Sequence, residues 1–436
     1  MDSLAGWLLA MASFVVFWVV LPKSNRTPII VLSGIFVLLA HHLLSFVNIA
    51  YGPLIFAKSD AWGFHLFAAK FAGDAEQLEW AIGTPMYKSL LLILYDWFGK
   101  SLWLGQSFSI LCFSISAGLL IRVLRLLEVN NMVILAGAIL MYGLTPSGLI
   151  YGSITLREPW MTLFFMLGSF LAIRGIQNQA MMDILIACCS WMIMGLFHQV
   201  MMIYGLVGAA GLILLHGVMT WRQQTVSGAN GCSDVFLSRI SFLLLVIFLF
   251  TFGLAIFFLL PSTGGDDYFA MIFDSIPQSV ALYREAGESS NPTTGYRASF
   301  SFVDWISMLL SLTRSYFYYM GWPVTGNYQL MSTSVLMVGG ILRMLGIVSV
   351  IVIWCSRKGS EEEHYRYLLL LLVIYVSLTF LWNVGTTNHG QALRHHMMTD
   401  WILLCPIAMF CQRTWSQRKT RSIASVKGPN SSQTIE

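Results

Sequence analysis

The sequence predicts an all-α, polytopic transmembrane helical bundle of about 11 spans with further helices at the membrane surface. Three observations carry this expectation. Of 436 residues, 57% are hydrophobic and only 11% are charged, whereas about 25% of a soluble domain is charged. The mean hydropathy is +0.71. The apolar runs are continuous rather than alternating, so they read as helices and not as the strands of a barrel.

The spans follow from length, since about 20 apolar residues cross a bilayer. They are expected near 5–21, 28–48, 103–124, 131–148, 158–174, 181–197, 199–217, 236–260, 333–355, 366–384 and 399–412. Met1-Asp2-Ser3 lacks the basic start of a secretory signal, so the first run is read as a retained span. Two apolar segments, 85–98 and 305–322, are interrupted by Lys88 and Asp96 or crowded with Arg314, Tyr316, Phe317, Tyr318 and Tyr319. They are expected to lie along the membrane surface.

Orientation follows from Lys and Arg in short loops. Lys23 and Arg26, Arg122 and Arg125, Arg174, Arg222, and Arg357 and Lys358 follow the odd-numbered spans, and Arg413 to Lys427 form a basic tail. With eleven spans they share one side, the cytoplasm, and the N-terminus is outside. Residues 1–412 then form a single transmembrane domain, with external loops at 49–102 and 261–304. A basic cytoplasmic tail, 413–436, is expected to be disordered and to lie on anionic lipid.

A net charge of +4 gives no reason for a nucleic-acid partner. The seven cysteines fall mostly in or beside apolar runs, without zinc or disulfide spacing. The sequence indicates no metal site and leaves the cofactor unknown, with a divalent metal at Glu158 or the His395-His396 pair still open. His41, His42, His198 and Gln199 read as packed or interfacial residues. Asp266, Asp267, Arg284, Glu285 and Arg297 read as solvated loop charges.

Charge is costly beside hydrocarbon, so polar clusters there are functional candidates. Asp60 opens the first external segment, with Trp62, Phe64 and His65 close behind and Lys88 further on. A carboxylate partly removed from water is a base suited to taking a proton from a sugar hydroxyl. Thr155-Leu156-Arg157-Glu158-Pro159 stands at the mouth of the fifth span; Pro159 suits a first helical turn, and Glu158 suits the positive helix start. Asn388 to His396 stands at the mouth of the last span. There Arg394, His395 and His396 break the positive-inside pattern, and an arginine fork is the preferred partner of phosphate.

The order of these stretches resembles the integral-membrane glycosyltransferases of the GT-C fold, particularly the bacterial ArnT/protein-mannosyltransferase-like members. The resemblance rests on Ser59-Asp60-Ala61-Trp62-Gly63-Phe64-His65, on Gly83 to Lys88 with Leu94 to Gly99, on Pro146 through Leu156-Arg157-Glu158, and on Gly390 to Arg394. It covers residues 50–175 well and 300–412 loosely. Many members carry two adjacent acidic residues in the first loop; here Ala61 follows Asp60.

The resemblance implies a polyprenyl-phosphate sugar donor and a glycan or lipid acceptor, meeting at the external face of a bacterial cytoplasmic membrane. Asp60 would act as base. Arg157 and Arg394, with His395 or His396, would stabilise the leaving phosphate. Trp62 would stack on sugar, and His65, Lys88 and Glu158 would position substrate. Asp60, Arg157 and Arg394 are then expected to face one cavity, with the carboxylate and guanidinium groups a sugar's width apart. Two rivals share the composition: a polysaccharide polymerase or ligase of the O-antigen type, relying on external Arg and His, and a lipid-linked sugar flippase or transporter.

Overall fold

The structure is a computed structural model describing residues 4–54, 60–226, 305–320, 330–356, 362–386 and 389–426. The described residues form helices and turns without strands. In chain order the helices are α1 (Leu4–Val20), α2 (Pro28–Tyr51), α3 (Asp60–Phe71), α4 (Thr84–Phe98), α5 (Leu102–Leu126), α6 (Met132–Leu144) and α7 (Pro146–Gly152). They continue with α8 (Glu158–Asn178), α9 (Met181–Leu196), α10 (Gln199–Val226), α11 (Trp305–Tyr319), α12 (Leu330–Cys355), α13 (Glu362–Gly385) and α14 (His389–Val426).

Six of these are long and apolar enough to cross a membrane: α2, α5, α8, and parts of α10, α12 and α13. This is the make-up of a multi-pass membrane protein, and each of the six overlaps an expected span. The other expected spans differ. Helices α1 and α9 are apolar but shorter. The span expected at 131–148 is broken, with α6 and α7 meeting at 61°. Pro146 has no N–H to continue the ladder and stands in the first turn of the new helix. Thr145 accepts from the backbone N–H of Gly148 at 3.3 Å and so caps that turn. The segment 399–412 is the middle of the 38-residue α14. The expected span 236–260 and loop 261–304 lie outside the described residues.

Helices α4 and α11 have 15 residues each, about 22 Å of helix, which falls short of a 30 Å hydrocarbon core. The first part of the tail departs from the expected disorder, because α14 runs on to Val426, and residues 427–436 lie outside the described residues. Gln412 accepts from the backbone N–H of Asn131, and Arg413 donates to Ser356. Beyond Pro406 no Gly or Pro occurs until Gly428-Pro429.

One continuous apolar core runs through the bundle, including Phe17, Ile30, Phe113, Tyr142, Phe165 and Trp401. Helix α5 lies between α1, α2 and α8, and α14 packs on α6, α7, α8, α12 and α13. Small residues let these helices close up. A methyl group at Gly34 would fall 2.0 Å from the Phe17 ring, and one at Gly168 would fall 2.4 Å from Trp191.

The bundle has two unlike polar ends. At one, Arg122 donates to the Val20 carbonyl at 2.7 Å and Arg174 pairs with Asp183. Gln177 reaches the Leu126 carbonyl there, and Gln412 meets the start of α6. Glu158 lies 16 residues before Arg174 on the same helix, about 24 Å away. That opposite end holds the site.

Candidate functional site

Three segments far apart in sequence meet at this second end. Asp60 stands in the first turn of α3, and Glu158 in the first turn of α8, both placements favoured by the helix dipole. Arg157 is the residue just before α8, and Arg394 lies in the second turn of α14. The residues 153–157 that lead into α8 are irregular and buried. In a membrane protein such backbone is tolerated where it is buried in protein or lines a water-filled cavity.

Glu158 is the hub. Its Oε1 lies 2.8 Å from Arg394 Nε and 3.6 Å from Arg157 Nε, and its side chain is 2% exposed. Arg394 Nη1 bonds Asp60 Oδ2 on its other side. Arg157 Nη1 donates to the Thr84 hydroxyl at 3.0 Å and to the Phe197 carbonyl at 3.2 Å, one of the carbonyls left unpaired at the end of α9. Two guanidinium groups and two carboxylates leave no net charge, which offsets the large cost of burying each ion. Asp60 is the accessible member, its side chain 47% exposed against 14% for Arg394 and 11% for Arg157.

A histidine and tryptophan wall closes the cluster. The His395 ring stacks on Trp382 at 3.8 Å, and its Nδ1 lies 3.1 Å from the Thr386 hydroxyl. His198, in the turn between α9 and α10, meets the edge of the same Trp382 ring. Burial pushes the His198 imidazole well below the ordinary histidine range, and the cations of Arg157 and Arg394 push it further. Several buried polar atoms here have no protein partner among the described residues: Glu158 Oε2, Thr155 Oγ1, His198 Nδ1 and Trp382 Nε1. Buried polar atoms are normally paired, so such a group concentrated in one place marks where a polar ligand or water would bond.

The structure brings together Asp60, Arg157, Glu158, Arg394 and His395. It does not bring the others. His396 turns away from the cluster, because neighbours on a helix point about 100° apart. Its Nε2 bonds the Tyr319 carbonyl at 2.7 Å. His65 Nδ1 bonds the Tyr95 hydroxyl at 2.9 Å and pins α3 to α4, with the edge of Trp62 beside it. Lys88 lies over the Phe67 ring at 4.7 Å. The expected gap of a sugar's width between Asp60 and Arg394 is absent: the two are directly paired, because opposite charges brought together at a partly buried site bond each other.

A second charged cluster was not expected from the sequence. Arg343 Nε donates to Asp400 Oδ1 at 3.1 Å and its Nη1 to the Met320 carbonyl at 3.1 Å; Ser147 donates to Asp400 Oδ2 at 2.9 Å. His396 Nδ1 is 3.9 Å from the same carboxylate. Together these groups fasten the end of α11 to α7, α12 and α14. One signal was available: Arg343 stands in the middle of an apolar run, where a charge needs a partner.

Among the described residues no group of three or more His, Cys, Asp or Glu side chains is placed to hold a metal ion. No protein-family model, no curated protein and no solved structure matches the chain.

Proposed function

We propose that this chain is a membrane glycosyltransferase that moves a sugar from a polyprenyl-phosphate donor to a glycan or lipid acceptor. What supports the reading is the meeting of Asp60, Arg157, Glu158 and Arg394 at one end of the bundle, across up to 334 positions of sequence. A pair of arginines held by one buried carboxylate is a site for an anion that brings its own planar or tetrahedral oxygens. Asp60 is the more exposed partner of Arg394. A donor phosphate competing for Arg394 would release the Asp60 carboxylate towards an acceptor.

In the transfer, the acceptor hydroxyl gives its proton to Asp60 as its oxygen bonds the anomeric carbon. The bond between that carbon and the phosphate oxygen breaks, and its electron pair leaves with the phosphate. Arg394 and Arg157 offset the charge that develops there, where fixed cations act most strongly. Glu158 holds both arginines in place, and His395 closes the wall. The site would open to the external face of a bacterial cytoplasmic membrane, with the N-terminus outside and the C-terminus inside. The gathering of Arg122 and Arg174 at the opposite end supports that orientation.

The test is transfer by purified protein from a labelled polyprenyl-phosphate sugar. Asp60→Asn is expected to abolish transfer and keep donor binding. Arg394→Ala is expected to lose both. Intact turnover in Asp60→Asn would remove the base assignment. A second reading, a polysaccharide polymerase or ligase that works through Arg and His without a carboxylate base, fits the direct Asp60–Arg394 pair, since a carboxylate bonded to a guanidinium is a weaker base, and an ion pair that serves only the fold would look the same. That reading gains if Asp60→Asn stays active while Arg394→Ala does not. Movement of the donor across the bilayer with its glycosidic bond intact would instead identify a flippase.

A further inference from the structure

The helices that bring Asp60 and Thr84 to the arginine cluster do not end there. Along α3, Phe67 lies seven residues beyond Asp60, about 10 Å; along α4, Lys88 lies four residues beyond Thr84, about 6 Å. Between them the structure has a cleft of about 370 Å³ lined by Phe67, Glu76, Gln77, Glu79, Lys88 and Ser89, among others. We infer that this cleft is an acceptor site for a glycan chain bearing hydroxyl or amino groups and no acidic group. The inference deepens the proposed function and rests on it for the word acceptor.

Three features point to a sugar. The lining combines carboxylate, amide, hydroxyl and ammonium groups beside one aromatic ring, so that sugar hydroxyl groups both donate and accept. The wall is fixed in advance, which lowers the cost of binding. Ser89 donates to the Glu79 carbonyl and accepts from the Glu79 N–H, both at 2.8 Å. Asp74 caps the turn at Ala75–Gln77, and the Gly83 N–H bonds the Leu196 carbonyl at 2.8 Å. Lys88 is held over Phe67 rather than extended into solvent.

Charge sets the direction. Glu76 and Glu79 against Lys88 leave the cleft negative, while the far end of the same two helices holds paired arginines. An anionic group is turned away from the cleft and accepted by the arginines. A neutral or amino sugar is accepted by the cleft. The separation of about 10 Å is that of roughly two sugar rings, which would place the end of a bound chain beside Asp60.

The experiment uses full-length protein in lipid nanodiscs and calorimetric titration with three tetrasaccharides: a glucosamine tetramer, cellotetraose and a galacturonate tetramer. The glucosamine tetramer is expected to bind best and the galacturonate worst. The double variant E76Q/E79Q is expected to weaken the glucosamine tetramer roughly tenfold or more, the loss of charge-assisted bonds, with its unfolding temperature unchanged. No saturable binding of the glucosamine tetramer or cellotetraose, equal binding by the double variant, or preference for galacturonate would overturn the site. Polyprenyl-phosphate binding, compared in wild type and Arg394→Ala, is read separately. If the lipid phosphate binds through Arg394 and no glycan binds, the cleft fails alone. If glycans bind and the lipid phosphate does not, the cleft stands as a glycan site and the transferase reading fails.

Discussion

Helix α8 carries an arginine near each end, and each is matched with carboxylate, yet the two ends are built differently. Arg174 and Asp183 form a two-bond fork at 2.7 and 2.5 Å, nine residues apart across one turn, and Arg174 is 38% exposed. The pair is local and its geometry is complete. At the other end Glu158 is shared by its chain neighbour Arg157 and the distant Arg394, neither in a two-bond fork, and its second oxygen has no protein partner among the described residues. Surface pairs of the first kind contribute little to stability. A buried cluster with unused bonding capacity is costly to keep, and its upkeep is intelligible if a ligand completes it.

The largest expected difference is in folding. Glu158→Gln leaves two buried guanidinium groups without their shared partner and should destabilise by about 3–5 kcal/mol. Asp183→Asn at the other end should cost under about 1 kcal/mol. Thermal unfolding of both variants in one detergent measures the pair. Equal losses would mean that the two ends are the same kind of structure.

The next difference is in recognition. Arg394→Lys keeps the charge and loses the planar fork, so polyprenyl-phosphate binding should fall roughly tenfold. Arg174→Lys should leave it unchanged. A matching fall in both would trace binding to general charge and not to the cluster.

The four clustered residues were legible because each is a charge beside hydrocarbon. Their pairing was not: sequence spacing says nothing about which distant ions meet, and the separation expected of Asp60 and Arg394 is replaced by direct contact. His395 and His396 are neighbours in the chain, and only helical rotation assigns one to each cluster. Arg343 and Asp400 were hidden because a window of about 20 residues absorbs one charge without losing its apolar average. The break at Pro146 was hidden in the same way, since an apolar run shows composition and not the missing N–H. Helical identity and the six long apolar helices needed only composition and length, and these were the readable part.

Acidity provides a finer comparison. His198 is kept neutral by burial and by the nearby arginines, so its folded pKa lies well below the ordinary value of about 6.5. Below pH 6.5 the unfolded chain then binds a proton that the folded chain does not. Stability contributed by His198 is present above that pH and falls as pH is lowered, by up to about 1.4 kcal/mol per unit. His198→Gln should show a shallower loss of unfolding temperature between pH 7.5 and pH 5.5 (both about the ordinary histidine range). Parallel curves for the variant and wild type would mean that His198 is not held neutral by the cluster.

The smallest expected effect tests how far the cluster extends along α4. Thr84 offers its hydroxyl oxygen to Arg157 Nη1 at 3.0 Å, and the same guanidinium group also bonds the Phe197 carbonyl. Thr84→Ala removes one acceptor of two from that nitrogen. A hydrogen bond to a charged group contributes about 1.5–3 kcal/mol when its loss leaves the ion unpaired; here the second acceptor remains, so about 1 kcal/mol is expected. Thr84→Ser keeps the oxygen and should restore most of it. If alanine and serine behave alike, Thr84 merely packs. If serine rescues both stability and lipid-phosphate binding, α4 is mechanically joined to the arginines, and a ligand held further along α4 can be felt at Arg157.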